Sequence, residues 1–457
     1  MKARPQPASQ PDRQAQSVRR PDGQPWPLPR GGGLTRRHVR ARARVRPRAW
    51  ARARARSGVA AAVVVGLAAS AGLVAGPAWA DGQSDGDVSR AAAAPSAAGG
   101  QVVGRAADRP DAVALEKALR GLPDRDATAA LVRVGGHGTW RGKAGVRDLV
   151  SGRGALTDAR FRAGSTTKVV TSAVVLQLAA EGRIDLDGTV QEYLPGLLSD
   201  AFGPITVRHL LRFTSGLQPG ADLGPTDGEG YERRFETLTP EAVVAASVAK
   251  GTYRGPGEGP GKKQRYGNIG YTVLGMLIEK VTGDSYEHQA AVRVLRPAGM
   301  WHTSFPGGPD PRLHGPHHRG YQLLRDGRLV DATEWNVSDR WAAGDMISTT
   351  ADLERLLRAL FRGRIVPQPL LDREMFTLPK IEGATYSAGL QRFIGEDGKT
   401  VVWGKSGARP GYATAIAATR NLSRTLVYSV NATEAHGELN PVSVRIIRAV
   451  FPLELPR

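Results

Sequence analysis

The 457-residue sequence predicts an α+β fold, on three observations. Short β-branched or aromatic runs lie near both ends of the globular part, the middle is dominated by helical apolar spacing, and no unit repeats. The two ends are therefore expected to share one antiparallel sheet, with a largely helical region inserted between them.

Three regions precede or make up that fold. Residues 1–80 read as an Arg-rich leader and signal peptide, residues 81–105 as a flexible linker, and residues 106–457 as the globular domain. The leader holds 16 of the 63 Lys and Arg residues but only Asp12 and Asp22 among the acids. Most of the net charge of +20 therefore sits there, and about +6 remains beyond position 80. The globular part carries no footprint for a polyanion, so no nucleic-acid partner is expected. An Arg/Ala run to Arg56, an apolar stretch from Gly58 to Ala75 and Ala78-Trp79-Ala80 form the three parts of a secretory signal. Cleavage is expected after Ala80, which makes the product secreted, without stable membrane insertion. An uncleaved anchor is the alternative, since 18 residues approach the length needed to span a bilayer. The absence of cysteine excludes disulfides, thiolate metal sites and a cysteine nucleophile.

Along the domain, apolar residues at helical spacing predict a helix over Asp111–Leu122. Strands follow at Thr128–Gly135 and Lys143–Val146, and a strongly apolar helix at Thr167–Glu181. In the long middle, 183–375, the clearest helix is Gly270–Val281. Strands return at Thr400–Trp403, Tyr412–Ala418 and Thr425–Val430, and an amphipathic helix at Pro441–Val450 closes the chain.

The chemistry centres on Ser165-Thr166-Thr167-Lys168 at the start of the apolar helix. Residues three apart share a helix face, so Lys168 can sit beside Ser165. A serine hydroxyl needs a base to become a nucleophile, and a lysine serves once apolar surroundings lower its pKa. A backbone N–H of Ser165 at a helix start would face a developing oxyanion. Alone the tetrapeptide says little. Its context is Tyr266-Gly267-Asn268 just before an apolar helix and Lys405-Ser406-Gly407 on a predicted strand. The tyrosine can relay a proton, the asparagine can bind a substrate amide, and the strand edge can pair with a peptide-like substrate. The N–H of Ala408 would complete the oxyanion hole.

With these motifs in order, the sequence resembles the penicillin-recognising serine enzymes, and most of all secreted D-alanyl-D-alanine carboxypeptidases and class C β-lactamases. Further similar blocks are Phe161–Ser165, Leu176–Leu194, Ile205–Leu211 with Thr214–Leu217, Ala342–Leu353 and Gly404–Tyr412. The resemblance implies a β-lactamase/transpeptidase-like fold and an acyl-enzyme on Ser165. Lys168 would act as base and Tyr266 as proton relay. Asn268, Lys405, Ser406, Gly407 and Ala408 would bind substrate. It implies no cofactor or metal. The expected partner is a peptide or β-lactam substrate, and a monomer is expected. A carboxypeptidase acting on cell-wall peptides leads. A β-lactamase or carboxyl-ester hydrolase uses the same residues, and a non-catalytic binding protein on this fold is the remaining alternative. The third motif starts with Lys405 where those carboxypeptidases usually carry histidine. Their carboxylate-binding arginine falls at Gln391 here, with Arg392 beside it; Arg409 is the other candidate.

Three other signals are set aside. The Gly255–Lys263 segment lacks the spacing of a phosphate loop. His314, His317 and His318 are expected to lie on a solvated loop, and His209 to be a packed helix residue.

Overall fold

The computed structural model describes residues 109–255, 257–306, 308–434 and 439–453. The expected leader, signal and linker, and a start of the domain at 106, lie outside these residues. Among the described residues no helix is long and apolar enough to cross a membrane.

The centre is a six-stranded antiparallel sheet. Its strands are β1 (Ala127–Gly136), β2 (Trp140–Gly145), β3 (Gln391–Ile394), β4 (Val401–Arg409), β5 (Tyr412–Thr419) and β6 (Arg424–Ala432). They lie side by side in the order β2-β1-β6-β5-β4-β3. The two ends of the domain meet where β1 pairs with β6, Val132 opposite Tyr428. The shared sheet expected from sequence is thus observed. β6 is buried along almost its whole length because it is central and covered on both faces.

Five helices fix the layers: α1 (Ala112–Leu119), α2 (Thr167–Ala180), α3 (Ile269–Thr282), α4 (Thr350–Phe361) and α5 (Pro441–Arg448). Helices α1 and α5 cover one sheet face, where Leu115, Val442 and Ile446 pack with Leu426, Tyr428 and Val430. The other face meets the helical region through Val427, Ile416 and Trp403. Helix α2 is apolar almost all round and buried from Thr167 to Leu176, the pattern of a helix enclosed by protein. In contrast, α4 is two-faced. Leu353, Leu356, Leu357 and Leu360 turn inward, and the Thr349 side chain caps it by accepting from the Asp352 N–H at 3.2 Å.

The middle also contains short strands that helical spacing does not announce. Phe161–Arg162 pairs with Ile347–Ser348, and Tyr321–Leu323 pairs with Leu329–Asp331. The first of these ties the segment before Ser165 to the segment that later reaches Lys168. His209 is a half-buried helix residue, as expected, and its Nδ1 accepts from the Thr206 N–H in a reciprocal cap. His318 departs from the expected solvated loop. It is buried, accepts from the Leu156 N–H at 2.9 Å through Nε2, and bonds Asn431 at 3.0 Å through Nδ1.

Leu274 is fully buried in α3 within the main core. Leu274→Ala is expected to destabilise the domain by about 2–5 kcal/mol, read as a lowered urea midpoint with the slope unchanged.

Candidate active site

Ser165 does not lie in α2 itself. It sits in a 3₁₀ turn, Gly164–Thr166, that leads into the helix. The turn is pressed against β4. A methyl group on Gly164, whose φ is +52°, would come within 2.6 Å of the Ala408 amide nitrogen. One on Gly407 would come within 2.0 Å of the Ala163 carbonyl and 3.0 Å of the Ser165 nitrogen. Only two glycines allow this approach, and it brings the amides of Ser165 and Ala408 to one spot. Strand β3 leaves room for it. Its last pair is Gln391 with Gly404, so among the described residues no strand pairs with β4 from Lys405 to Arg409 on that side.

Lys168 is fully buried one helical turn beyond Ser165. Its Nζ lies 3.2 Å from Ser165 Oγ and donates to Asn268 Oδ1 at 2.7 Å and to the Ala343 carbonyl at 2.7 Å. Burial pulls its pKa down to about 8, partly opposed by the Tyr266 phenol. Asn268 stands at the N-cap of α3, but its side chain makes no capping bond. Its oxygen is spent on Lys168, which leaves the amide NH₂ for a substrate carbonyl.

Tyr266 is 41% exposed and is held by ring contacts with Phe213 at 4.9 Å and Tyr386 at 5.0 Å. Its ring lies 5.2 Å from Lys168 Nζ and 4.8 Å from Lys405 Nζ. Lys405 is buried, donates to the Ser406 carbonyl at 2.7 Å, and has its pKa pulled down to about 7 by desolvation. Ser406, next along the pleat, is exposed. All the residues expected at the site except Lys168 line one cleft of about 330 Å³, and Lys168 lies directly beneath it.

The candidate carboxylate readers are not brought in. Arg409 borders the cleft but is buried and ion-paired with Asp339 at 3.1 Å. Gln391 and Arg392 line a different hollow, on the far side of Ser406.

Sequence reasoning assigned no individual roles within residues 342–346, although the block was noted as similar. Every turn of this segment grips the nucleophile's helix. The Ala342 carbonyl accepts from Thr171 Oγ1 at 2.6 Å, the Ala343 carbonyl from Lys168, and the Met346 N–H donates to Thr167 Oγ1 at 3.1 Å. Ala342 adopts φ +57°, a conformation that costs energy and is kept by these bonds. Asp345 is buried within the segment, and neither of its oxygens has a well-formed hydrogen bond. Desolvation raises its pKa to about 8.

A family model described as Beta-lactamase matches residues 115–449. The chain belongs to the beta-lactamase family. Among solved structures of this fold, it is similar to a D-stereospecific amidohydrolase from a Streptomyces species. That match has 32% identity and a TM-score of 0.65, covering 75% of this chain and 98% of the other. It is also similar to the D-amino acid amidase of Ochrobactrum anthropi SV3 complexed with D-phenylalanine. Here identity is 25%, the TM-score 0.60, and the coverage 73% and 98%. Protein flp of Staphylococcus aureus is 29% identical over 203 residues. That match spans 44% of this chain and 38% of flp, less than half the length of either. The fold is that of a family of serine hydrolases, and the expected α+β, β-lactamase/transpeptidase-like architecture is found.

Two pH responses follow. If Lys168 must be neutral to accept the Ser165 proton, kcat/KM should rise with pH through about 8, and Lys168→Ala should lower it by about 10²–10⁴-fold. A pH–rate profile checks both. Asp345 acts on stability. Its folded pKa lies above its ordinary value of 3.8, so the unfolded chain ionises first as pH rises. Its contribution is complete below about pH 4 and lost progressively up to about 8. Asp345→Asn should flatten that part of the dependence, seen in urea midpoints at pH 5 and pH 8.

Proposed function

We propose that this chain forms an acyl-enzyme on Ser165 from amides or esters of D-amino acids, and that it does not require a free carboxylate next to the scissile bond. The observation that carries the reading is the ion pair of Arg409 with Asp339, which neutralises the guanidinium at the end of the motif strand. A second support is the similarity to enzymes named for D-stereospecific amide hydrolysis.

In this reading neutral Lys168 takes the Ser165 proton as Oγ attacks the carbonyl. The oxyanion that forms is met by the N–H groups of Ser165 and Ala408. Asn268 orients the acyl group through its NH₂. Tyr266, poised between two lysines, passes the proton now on Lys168 to the departing nitrogen, and water then resolves the ester. Export with cleavage after Ala80 belongs to the same proposal.

A D-alanyl-D-alanine carboxypeptidase is the second reading. Lys405 and Ser406 favour it, since an amine and a hydroxyl donor line the same cleft on the strand where a terminal carboxylate would arrive.

The test uses residues 81–457 with D-phenylalanine amide, L-phenylalanine amide and a D-alanyl-D-alanine peptide, each beside Ser165→Ala. The expected result is Ser165-dependent release of ammonia from the D-amide, at least about tenfold faster than from the L-amide. Faster cleavage of the peptide than of the D-amide would establish the carboxypeptidase instead. No Ser165-dependent turnover of any of the three would defeat both readings.

A further inference from the structure

On the far side of Ser406 lies a second hollow, of about 500 Å³, between the sheet and the C-terminal helix layer. Its origin is legible in the strands. Every second residue of β5 on this face is alanine, Ala413, Ala415 and Ala417, while β6 beside it presents Leu426 and Tyr428. The methyl groups of Ala415 and Ala417 therefore face the space that larger residues would fill in a close-packed core. Ile447 and Phe451 cover it, and Phe393 and Val402 close its edge. The rim is mixed: Ile394, 48% exposed, and Leu439, 39%, stand with the polar Thr385, Gln391 and Arg392.

This hollow adjoins the active cleft. Lys405, Ser406, Tyr428 and Leu439 line both. Ser406 stands at the junction, so a group attached near the reacting carbonyl can pass over it from the polar cleft into the apolar space. The volume falls within the range of a small-molecule site, and the combination of an apolar chamber with polar groups at its mouth is the usual form of one.

We propose that this chamber is a substrate subsite that receives an aliphatic or aryl group of the molecule acylating Ser165. The proposal rests on the serine-hydrolase reading of the cleft. It narrows the substrate class to amides or esters bearing a sizeable apolar group.

The test compares acetyl, butanoyl and octanoyl p-nitrophenyl esters on residues 81–457. The octanoyl ester should exceed the acetyl ester in kcat/KM by at least about tenfold, the gain from burying two methylenes. Ala417→Phe places a ring in the chamber and should bring that ratio close to one. Binding is measured separately by calorimetry on the Ser165→Ala protein, with octanamide and acetamide. Octanamide should bind at least about tenfold tighter, and the difference should vanish when Ala417→Phe is added. Equal kcat/KM across a hydrolysed ester series would overturn the subsite. If no ester is hydrolysed, the acylating reading fails, and the octanamide measurement still decides the chamber. Octanamide binding that appears only after residues 454–457 are removed would mean that the chain's own end fills the space, and the proposal would fall.

Discussion

The position of the Lys168 ammonium nitrogen is the constraint on which the site depends. It is fully buried, and three segments far apart in sequence converge on it: the Ser165 turn, Asn268 at the start of α3, and the Ala343 carbonyl. A buried amine without partners would cost several kcal/mol. Here three oxygens accept from it, and burial still lowers its pKa into the range where it can act as a base. The same bonds that keep the lysine soluble in the interior place it against the nucleophile.

The surrounding architecture serves that placement from two directions. The sheet supplies a rigid edge, and the Gly164 and Gly407 contacts press the serine turn onto it closely enough for two amides to share one oxyanion position. The helical region supplies Asn268, Tyr266 and residues 342–346. The short ladder between Phe161–Arg162 and Ile347–Ser348 joins the two, since it anchors both the approach to Ser165 and the exit from the segment that holds Lys168. The Phe213, Tyr266 and Tyr386 rings then set the height of the phenol above the two lysines.

Charge in and around the cleft is arranged unevenly. Lys405 is buried without an acidic partner among the described residues, and its pKa falls accordingly. Arg409, two strand positions past Gly407, is instead matched by Asp339. An arginine that is already paired does not offer its fork to a substrate carboxylate without leaving Asp339 unpaired in the interior. Arg340 is also occupied, by Asp222 at 3.4 Å and Asp339 at 3.2 Å. These pairings favour a substrate class without a required terminal carboxylate.

Local pattern in the sequence determined the main elements and the chemical identity of the site. The apolar run of α2 follows the S-x-x-K spacing directly, and helical geometry alone brings Lys168 to Ser165. The alternation and turns of the last strands placed Lys405 on β4. Only the tertiary structure decided the rest, because those features depend on groups distant in the chain. The neutralisation of Arg409 needs Asp339 from 70 positions away. The role of Ala343 is carried by a backbone carbonyl, which has no signature in residue type. Burial of His318 follows from Asn431 and Leu156 closing around it. The alanines of β5 read as ordinary strand residues until the neighbouring strands and α5 show that, among the described residues, a hollow lies before them.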